Sequence, residues 1–280
     1  MERITSRQNA IVKRFRELAR TSRGGPRGTH ATAAGHAAEV LLDGEHLLQE
    51  ALACDIPIEV AAFSDKQLAD PRSLVSRLAR DVKKGGGRVM TVGDPVLAAI
   101  SPVQHPSGVV AIGRARPSDI GVVLSGLSAL PVALVLAGLQ DPGNVGAIVR
   151  AAAAFGASGI VAIEGSANPF GWKALRGAMG GTFRVPVTGR GTMADVIAAA
   201  QQKRVRLVAA VPRGGTPLPS LDFRPPTAVV LGAEGAGLPS AVMTAMDETV
   251  TIPMQKPVES LNVAVAAALI LYEAMRQRQH

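Results

Sequence analysis

Two charged side chains stand apart from everything around them. Between Asp141 and Glu164 the only charged residue is Arg150, inside the apolar run VGAIVRAAAAFG. Between Arg224 and Asp247 the only one is Glu234, inside LGAEGAG (231–237). A charge flanked by Ala, Val and Ile is expected to be partly buried, and a buried charge needs a partner or a ligand. Two arrangements meet that need. Arg150 and Glu234 can pair and join two elements, or the arginine can face a phosphate while the carboxylate faces a cationic ligand or that arginine. Asn144 follows Asp-Pro-Gly and Ser260 precedes the last apolar run, and singly each reads as a helix cap. Asn262 reads as lying just inside that last helix, where asparagine has poor propensity and needs a partner. The glycines of LGAEGAG fall in the order G-x-x-G-x-G, which is not the dinucleotide fingerprint and argues against a NAD-dependent oxidoreductase. Alone they mark a strand end where a ligand can approach the backbone.

Other chemistries lack their residues. The chain has no Walker A sequence and no Gly-x-Ser-x-Gly elbow. His30, His36, His46, His105 and His280 are scattered without ligand spacing, and with Cys54 the only cysteine no metal site is expected. One cysteine also rules out an internal disulfide, which suits a reducing, cytoplasmic setting. The first residues, MERITSRQNAIVKRF, lack an apolar core of signal-peptide type. The most apolar run near the other end, Val263 to Tyr272, is well short of the roughly 20 residues of a membrane span. A soluble protein without membrane contact is expected.

Hydrophobic periodicity supplies the elements that must position these residues. An amphipathic basic helix is predicted over 6–21, with Ile11, Phe15 and Leu18 on one face. A Gly/Ser/Thr-rich loop follows from Arg20 to Gly35. Then come a strand at 38–42, a helix at 44–53, a strand at 58–63, a helix at 72–83, and strands at 87–92 and 108–112. Residues 114–131 read as a linker, with a domain boundary near 117. Beyond it lie a strand at 132–137, a helix after Asn144, a strand at 159–163 and a helix around Phe170 to Met179. A helix at 192–203, strands at 205–211, 227–232 and 249–253, and a final helix from about Leu261 complete the pattern. Apolar strands alternating with helices predict a largely parallel sheet covered on both faces. The 280 residues divide as 1–117 and 118–280.

Lys and Arg outnumber Asp and Glu by 30 to 22, and the pI is near 10.4, which predicts polyanionic partners. The excess is concentrated at one end. Within the first thirty residues Arg3, Arg7, Lys13, Arg14, Arg16, Arg20, Arg23 and Arg27 face only Glu2 and Glu17, a net +6. Aromatic residues are only 3%, too few for a dense base-stacking platform. Nucleic-acid affinity should therefore rest on phosphate contacts, with shape selecting the target.

Taken together, the site residues match one family. Gln140-Asp-Pro-Gly-Asn144-Val-Gly146-Ala-Ile-Val-Arg150, followed by Phe155-Gly156, resembles the first motif of the SpoU-type (TrmH-like) RNA ribose 2′-O-methyltransferases. Leu231-Gly232-Ala-Glu234-Gly235-Ala-Gly237 resembles the second. Ile252-Pro-Met254 with Glu259-Ser260-Leu261-Asn262 resembles the third. After Ile-Pro-Met-x the family usually has glycine, whereas this chain has Lys256 and then Pro257, which puts the shape of one loop in question. Looser similarity to the family's substrate-binding domain appears in Thr5-Ser-Arg-Gln-Asn9, Leu42-Asp-Gly-Glu45-His and His105-Pro-Ser-Gly.

The resemblance implies an α/β protein whose C-terminal parallel sheet carries a deep trefoil knot, with a smaller α/β ribosomal-protein-like domain in front holding the RNA. It implies S-adenosylmethionine as methyl donor, held at Gly232, Ile252 and Leu261, with Gly235 and Gly237 letting the loop come close. It implies catalysis by Asn144, Arg150, Glu234, Ser260 and Asn262 without metal, in a homodimer with residues of both subunits near each site. Arg150 is the base the family suggests. A guanidinium holds its proton too tightly for an ordinary base, so clamping a neighbouring phosphate is the competing role. Ribosomal RNA is the expected substrate, with transfer RNA and a non-catalytic ribosome-assembly role as alternatives.

Overall fold

The apolar runs pair into two separate sheets. The computed structural model describes residues 2–21, 37–126, 131–235 and 237–278. The first part consists of β1 (Glu2–Ile4), α1 (Ala10–Thr21), β2 (Ala38–Asp43), α2 (Glu45–Ala53), β3 (Ile58–Ser64), α3 (Asp65–Leu68), α4 (Leu74–Lys84), β4 (Arg88–Val92), α5 (Asp94–Ile100) and β5 (Val109–Ala115). The second consists of α6 (Ile120–Ser125), β6 (Val132–Ala137), α7 (Pro142–Ala154), β7 (Gly159–Ala162), α8 (Trp172–Ala178), β8 (Val187–Thr188), α9 (Met193–Lys203), β9 (Arg206–Ala210), β10 (Thr216–Pro217), β11 (Thr227–Gly232), α10 (Ser240–Met243), β12 (Glu248–Thr251) and α11 (Val263–Arg278).

The first sheet has the order β1-β4-β3-β5-β2, and β5 runs antiparallel to both neighbours. The second has the order β10-β12-β9-β11-β6-β7-β8, with every pairing parallel. Parallel strands buried on both faces need continuous apolar sequence, and β6 (VALVLA) and β11 (TAVVLG) supply it. The expected α/β class with a parallel C-terminal sheet is observed.

Three expectations are corrected. The first helix begins at Ala10 rather than residue 6, because Asn9 Oδ1 accepts the Ile11 N–H (3.0 Å) and so caps it. The segment read as a linker carries the end of β5 and all of α6. Val123 and Leu124 of α6 are fully buried, so the apolar IGVVLS run prevailed over its flanking Pro, Gly and Ser. The last helix starts at Val263, which leaves Asn262 outside it. Most of the Gly/Ser/Thr-rich loop, residues 127–130 of the linker, and Arg23 and Arg27 lie outside the described residues.

The two sheets share a core. One apolar cluster runs from Val40, Leu47, Leu48 and Ala51 of the first part to Leu139, Phe170, Ala174 and Leu175 of the second. α8 makes this junction by packing against the edge strand β2. Trp172 of α8 enters the cluster of Val12, Phe15 and Leu18, and its Nε1–H donates to the Ala19 carbonyl (3.1 Å). Asp43, with its side chain 1% exposed, accepts from Arg176 (2.7 Å) and from Ser101 Oγ (2.8 Å). Glu50 receives Arg184 (2.5 Å) alongside.

Candidate active site at the edge of the parallel sheet

Because β6, β11 and β12 are parallel, their C-terminal ends lie on one edge of the second sheet, where α/β folds bind ligands. The three motif segments leave from there: 138–141 after β6, 233–237 after β11 and 252–262 after β12.

The β6 segment is fixed by hydrogen bonds to a side chain absent from the motifs. Ser166 Oγ accepts the N–H of Gly138 (2.9 Å) and of Leu139 (3.2 Å), and donates to the Leu136 carbonyl (2.9 Å). A lone serine in a loop carries no signal that sequence reading could use. Asp141 caps α7 by accepting the Gly143 N–H (2.9 Å), and Pro142 occupies the first turn, where its missing N–H costs nothing. Asn144 is therefore not the cap expected of it. It lies in the first turn of α7 with its amide free to reach outward.

That amide joins three motifs. Asn144 Nδ2 donates to Glu234 Oε1, and Asn144 Oδ1 accepts from Asn262 Nδ2 (3.1 Å). Asn262 Oδ1 in turn accepts the N–H of Ala264 (2.9 Å) and of Val265 (3.4 Å), so Asn262 is the N-cap of α11. A carboxylate only accepts and a backbone N–H only donates, so both amide orientations are dictated from the two ends. The result is a directional chain from the α11 backbone through Asn262 and Asn144 to Glu234. It also brings Glu234 to the first turn of α7, the end of a helix that favours negative charge.

The other two expected catalytic residues are not in this chain of bonds. Arg150 is exposed, as is Glu234, and among the described residues no ion pair joins them. The expected partial burial is thus wrong for both. The reason is position: Arg150 lies six residues after Asn144, about 9 Å further along α7 and on another face. Ser260 is exposed and makes no side-chain hydrogen bond among the described residues.

The glycine-rich loop folds back on itself. The Gly237 N–H donates to the Ala233 carbonyl (2.9 Å), and a Cβ on Gly232 would lie 2.6 Å from the Gly237 carbonyl carbon. Gly235 and Gly237 have φ of +85° and +67°, left-handed values that favour glycine, and open space surrounds both Cα atoms. Ile252 and Leu261 are half-buried at the same edge. Gly232, Gly235, Gly237, Ile252 and Leu261 thus come together at one uncrowded, backbone-rich edge of the second sheet.

Residues 131–272 match the family model described as the SpoU rRNA Methylase family. The chain belongs to that family. Residues 41–117 match the model for RNA 2′-O ribose methyltransferase substrate binding. An uncharacterized tRNA/rRNA methyltransferase of Synechocystis sp. is 33% identical, over 98% of this chain and 94% of its own length. A 23S rRNA (guanosine(2553)-2′-O)-methyltransferase of Bacillus subtilis is 27% identical over 83% of this chain and 86% of its own. The AdoMet-bound rRNA methyltransferase of Sinorhizobium meliloti superposes with a TM-score of 0.82 at 28% identity, covering 98% of this chain and 97% of that one. This SpoU family member is an enzyme, and its reaction is methyl transfer to a ribose 2′-hydroxyl of RNA. Among the described residues no helix is long and apolar enough to cross a membrane, and no group of three or more His, Cys, Asp or Glu side chains could hold a metal ion.

Proposed function

We propose that the chain methylates ribosomal RNA, working as a cytoplasmic homodimer without a metal ion. The observation that carries this reading is the bonded chain Asn262–Asn144–Glu234 at the C-terminal edge of a parallel sheet, beside an open glycine cradle. S-adenosylmethionine is the methyl donor; when bound, it supplies an electrophilic methyl group on a positively charged sulfur. Gly232, Gly235, Gly237, Ile252 and Leu261 would hold it, largely through backbone. Glu234, oriented by Asn144, adds negative charge at that edge. Asn144 and Asn262 keep the carboxylate from rotating, which preserves geometry without reorganisation during the reaction.

The ribose oxygen must lose its proton, here to water, as it takes the methyl and S-adenosylhomocysteine leaves. Arg150, exposed and without a carboxylate partner among the described residues, is available to the substrate. We assign it the phosphate-clamp role in preference to that of base: a guanidinium fork grips a phosphate bidentately, and its charge lowers the acidity barrier of the neighbouring hydroxyl. We assign Ser260, exposed and two residues before Asn262, as a further hydroxyl contact to the substrate.

The dimer reading is supported by α11, where Val265, Leu269 and Tyr272 are 48%, 40% and 50% exposed at i, i+4 and i+7. α11 packs on α7, with Phe155 and Tyr272 edge to face at 5.9 Å, so a second copy seated on α11 would lie beside the helix that carries Arg150. The domain reading assigns residues 1–117 to RNA binding and 118–280 to methyl transfer, supported by the two sheets and by α6 packing on α9, β6, β7 and β8. A deep trefoil knot in the second part agrees with β11 lying between β6 and β9 and with α11 returning to α7.

The test is transfer of labelled methyl from S-adenosylmethionine to purified ribosomal RNA and, separately, to transfer RNA, followed by mapping of 2′-O-methyl positions. One methylated ribosomal nucleotide is expected. Label in transfer RNA alone would redirect the substrate assignment, and no label in either would defeat the enzymatic reading.

A further inference from the structure

Of the basic side chains in the first part, several are neutralised within the fold. Arg14 holds Glu39 and Glu59 (2.5 Å), Arg3 meets Asp65 (3.1 Å), and Arg88 meets Glu2. Lys13, Arg16 and Arg20 are different. They are exposed and form no ion pair among the described residues. At i, i+3 and i+7 they lie within one narrow arc of α1, opposite the buried Val12, Phe15 and Leu18, with Glu17 on the flank. The end of this arc is fastened to the second part of the molecule: Trp172 takes the Ala19 carbonyl, one residue before Arg20. On the other side of that indole stands Lys173, exposed, with Nζ 5.7 Å from the ring centroid. Beyond Lys173, α8 packs on α7, the helix that carries Asn144 and Arg150.

We propose that one strand of the RNA runs along Lys13, Arg16 and Arg20 of α1 and crosses to Lys173 of α8 at the Trp172 joint. The proposal rests on the RNA-methylating reading above and names the surface that delivers the substrate. A line of cations spaced along a helix fits a sugar–phosphate backbone, because each positions a phosphate without reading a base. The joint matters because it keeps the cations of two sheets in one rigid line. A second basic helix face exists: Arg77, Arg80 and Lys84 are exposed on α4, with Asp81 among them. α4 packs on α2, α3, β3 and β4 of the first part, and among the described residues no bond like that of Trp172 links its basic face to the second.

The two faces can be set against each other in the full-length chain. Binding to purified ribosomal RNA would be measured as a function of salt for the wild type, for Lys13→Gln/Arg16→Gln/Arg20→Gln, for Lys173→Gln, and for Arg77→Gln/Arg80→Gln/Lys84→Gln. Thermal melting and S-adenosylhomocysteine binding would be recorded for each. On this proposal the α1 variant loses about three units from the slope of log affinity against log salt, Lys173→Gln loses about one, and the α4 variant keeps the wild-type slope. Melting and S-adenosylhomocysteine affinity stay as in the wild type throughout. An α1 variant that binds like the wild type, or an α4 variant that loses as much as the α1 variant, overturns the path. Wild-type binding with the expected slopes but no methylation of any RNA would leave the path standing and defeat the enzymatic reading instead.

Discussion

The charges on the first sheet and those at the edge of the second are arranged to opposite ends. Arg14, Glu39, Glu59 and Arg114 form a closed network in which each charge meets an opposite one. The Arg14 guanidinium, with help from Arg114 and against the opposing effect of burial, holds the Glu59 carboxyl down to about 2. At the C-terminal edge of the second sheet, among the described residues, Arg150 has no carboxylate and Ser260 no hydrogen-bond partner, and Glu234 is met by a neutral amide. A network neutralised by itself holds strands and a helix together. Charges left without partners keep their interaction energy for whatever binds. The contrast teaches which arginines to suspect of function, since isolation among apolar residues marks one only when the fold leaves it unpaired.

The contrast is most exposed at Arg150. Arg150→Lys and Arg150→Ala are expected to melt and to bind S-adenosylhomocysteine like the wild type, because no ion pair is lost, while single-turnover methylation falls by about two orders of magnitude or more. Turnover that falls only in proportion to folded protein would make Arg150 structural after all. Next in size is Gly232→Ala. Its Cβ would press on the Gly237 backbone, and opening that fold-back should weaken S-adenosylhomocysteine binding by roughly tenfold, read by calorimetry. Unchanged affinity would show that the glycine loop is not the cofactor cradle.

Asn262→Ala separates the cap from the site. Losing the α11 cap should cost about 1 kcal/mol in denaturant unfolding. Asn262→Asp keeps the cap acceptor but has no N–H for Asn144, so it should fold nearly normally and still methylate slowly. Equal rates in Asn262→Asp and the wild type would remove Asn262 from the site.

The smallest effect tests the closed network. A carboxylate whose pKa is depressed by folding stabilises the fold above its unfolded value of about 4.3, and that contribution disappears as pH falls through about 2. Wild-type melting temperature should therefore lose an increment between about pH 5 and pH 2 that Glu59→Gln lacks. Parallel curves would mean that the Glu59 pairing adds nothing.

Much of this was legible in the chain before any fold was known. Glu234 and Asn262 stand out because a lone carboxylate among glycines and an asparagine at the start of an apolar helix have poor local reasons to be there, whereas Asn144 reads singly as a cap and joins them only through the motif. The apolar β-branched runs at 132–137 and 227–232 could only be buried strands, and the order of glycines in LGAEGAG excluded a dinucleotide loop. Those are local facts, set by propensity, spacing and solvation, and the sequence by itself determined them. What it left open depends on distance between segments far apart in the chain. Arg150 and Glu234 share a sequence logic that suits an ion pair, and only the pitch of α7 decides that the amide of Asn144 reaches Glu234 while Arg150 faces outward. Ser166 has no local signal because its three hydrogen bonds are to backbone that folding alone brings near. A linker rich in Pro and Gly suggested two independent units, yet α6 within it buries Val123 and Leu124, and α8 sets Trp172 and Leu175 into the core shared with the first part. Burial of apolar surface is non-directional and acts between any segments that meet, so the joining of the two sheets was decided by tertiary structure.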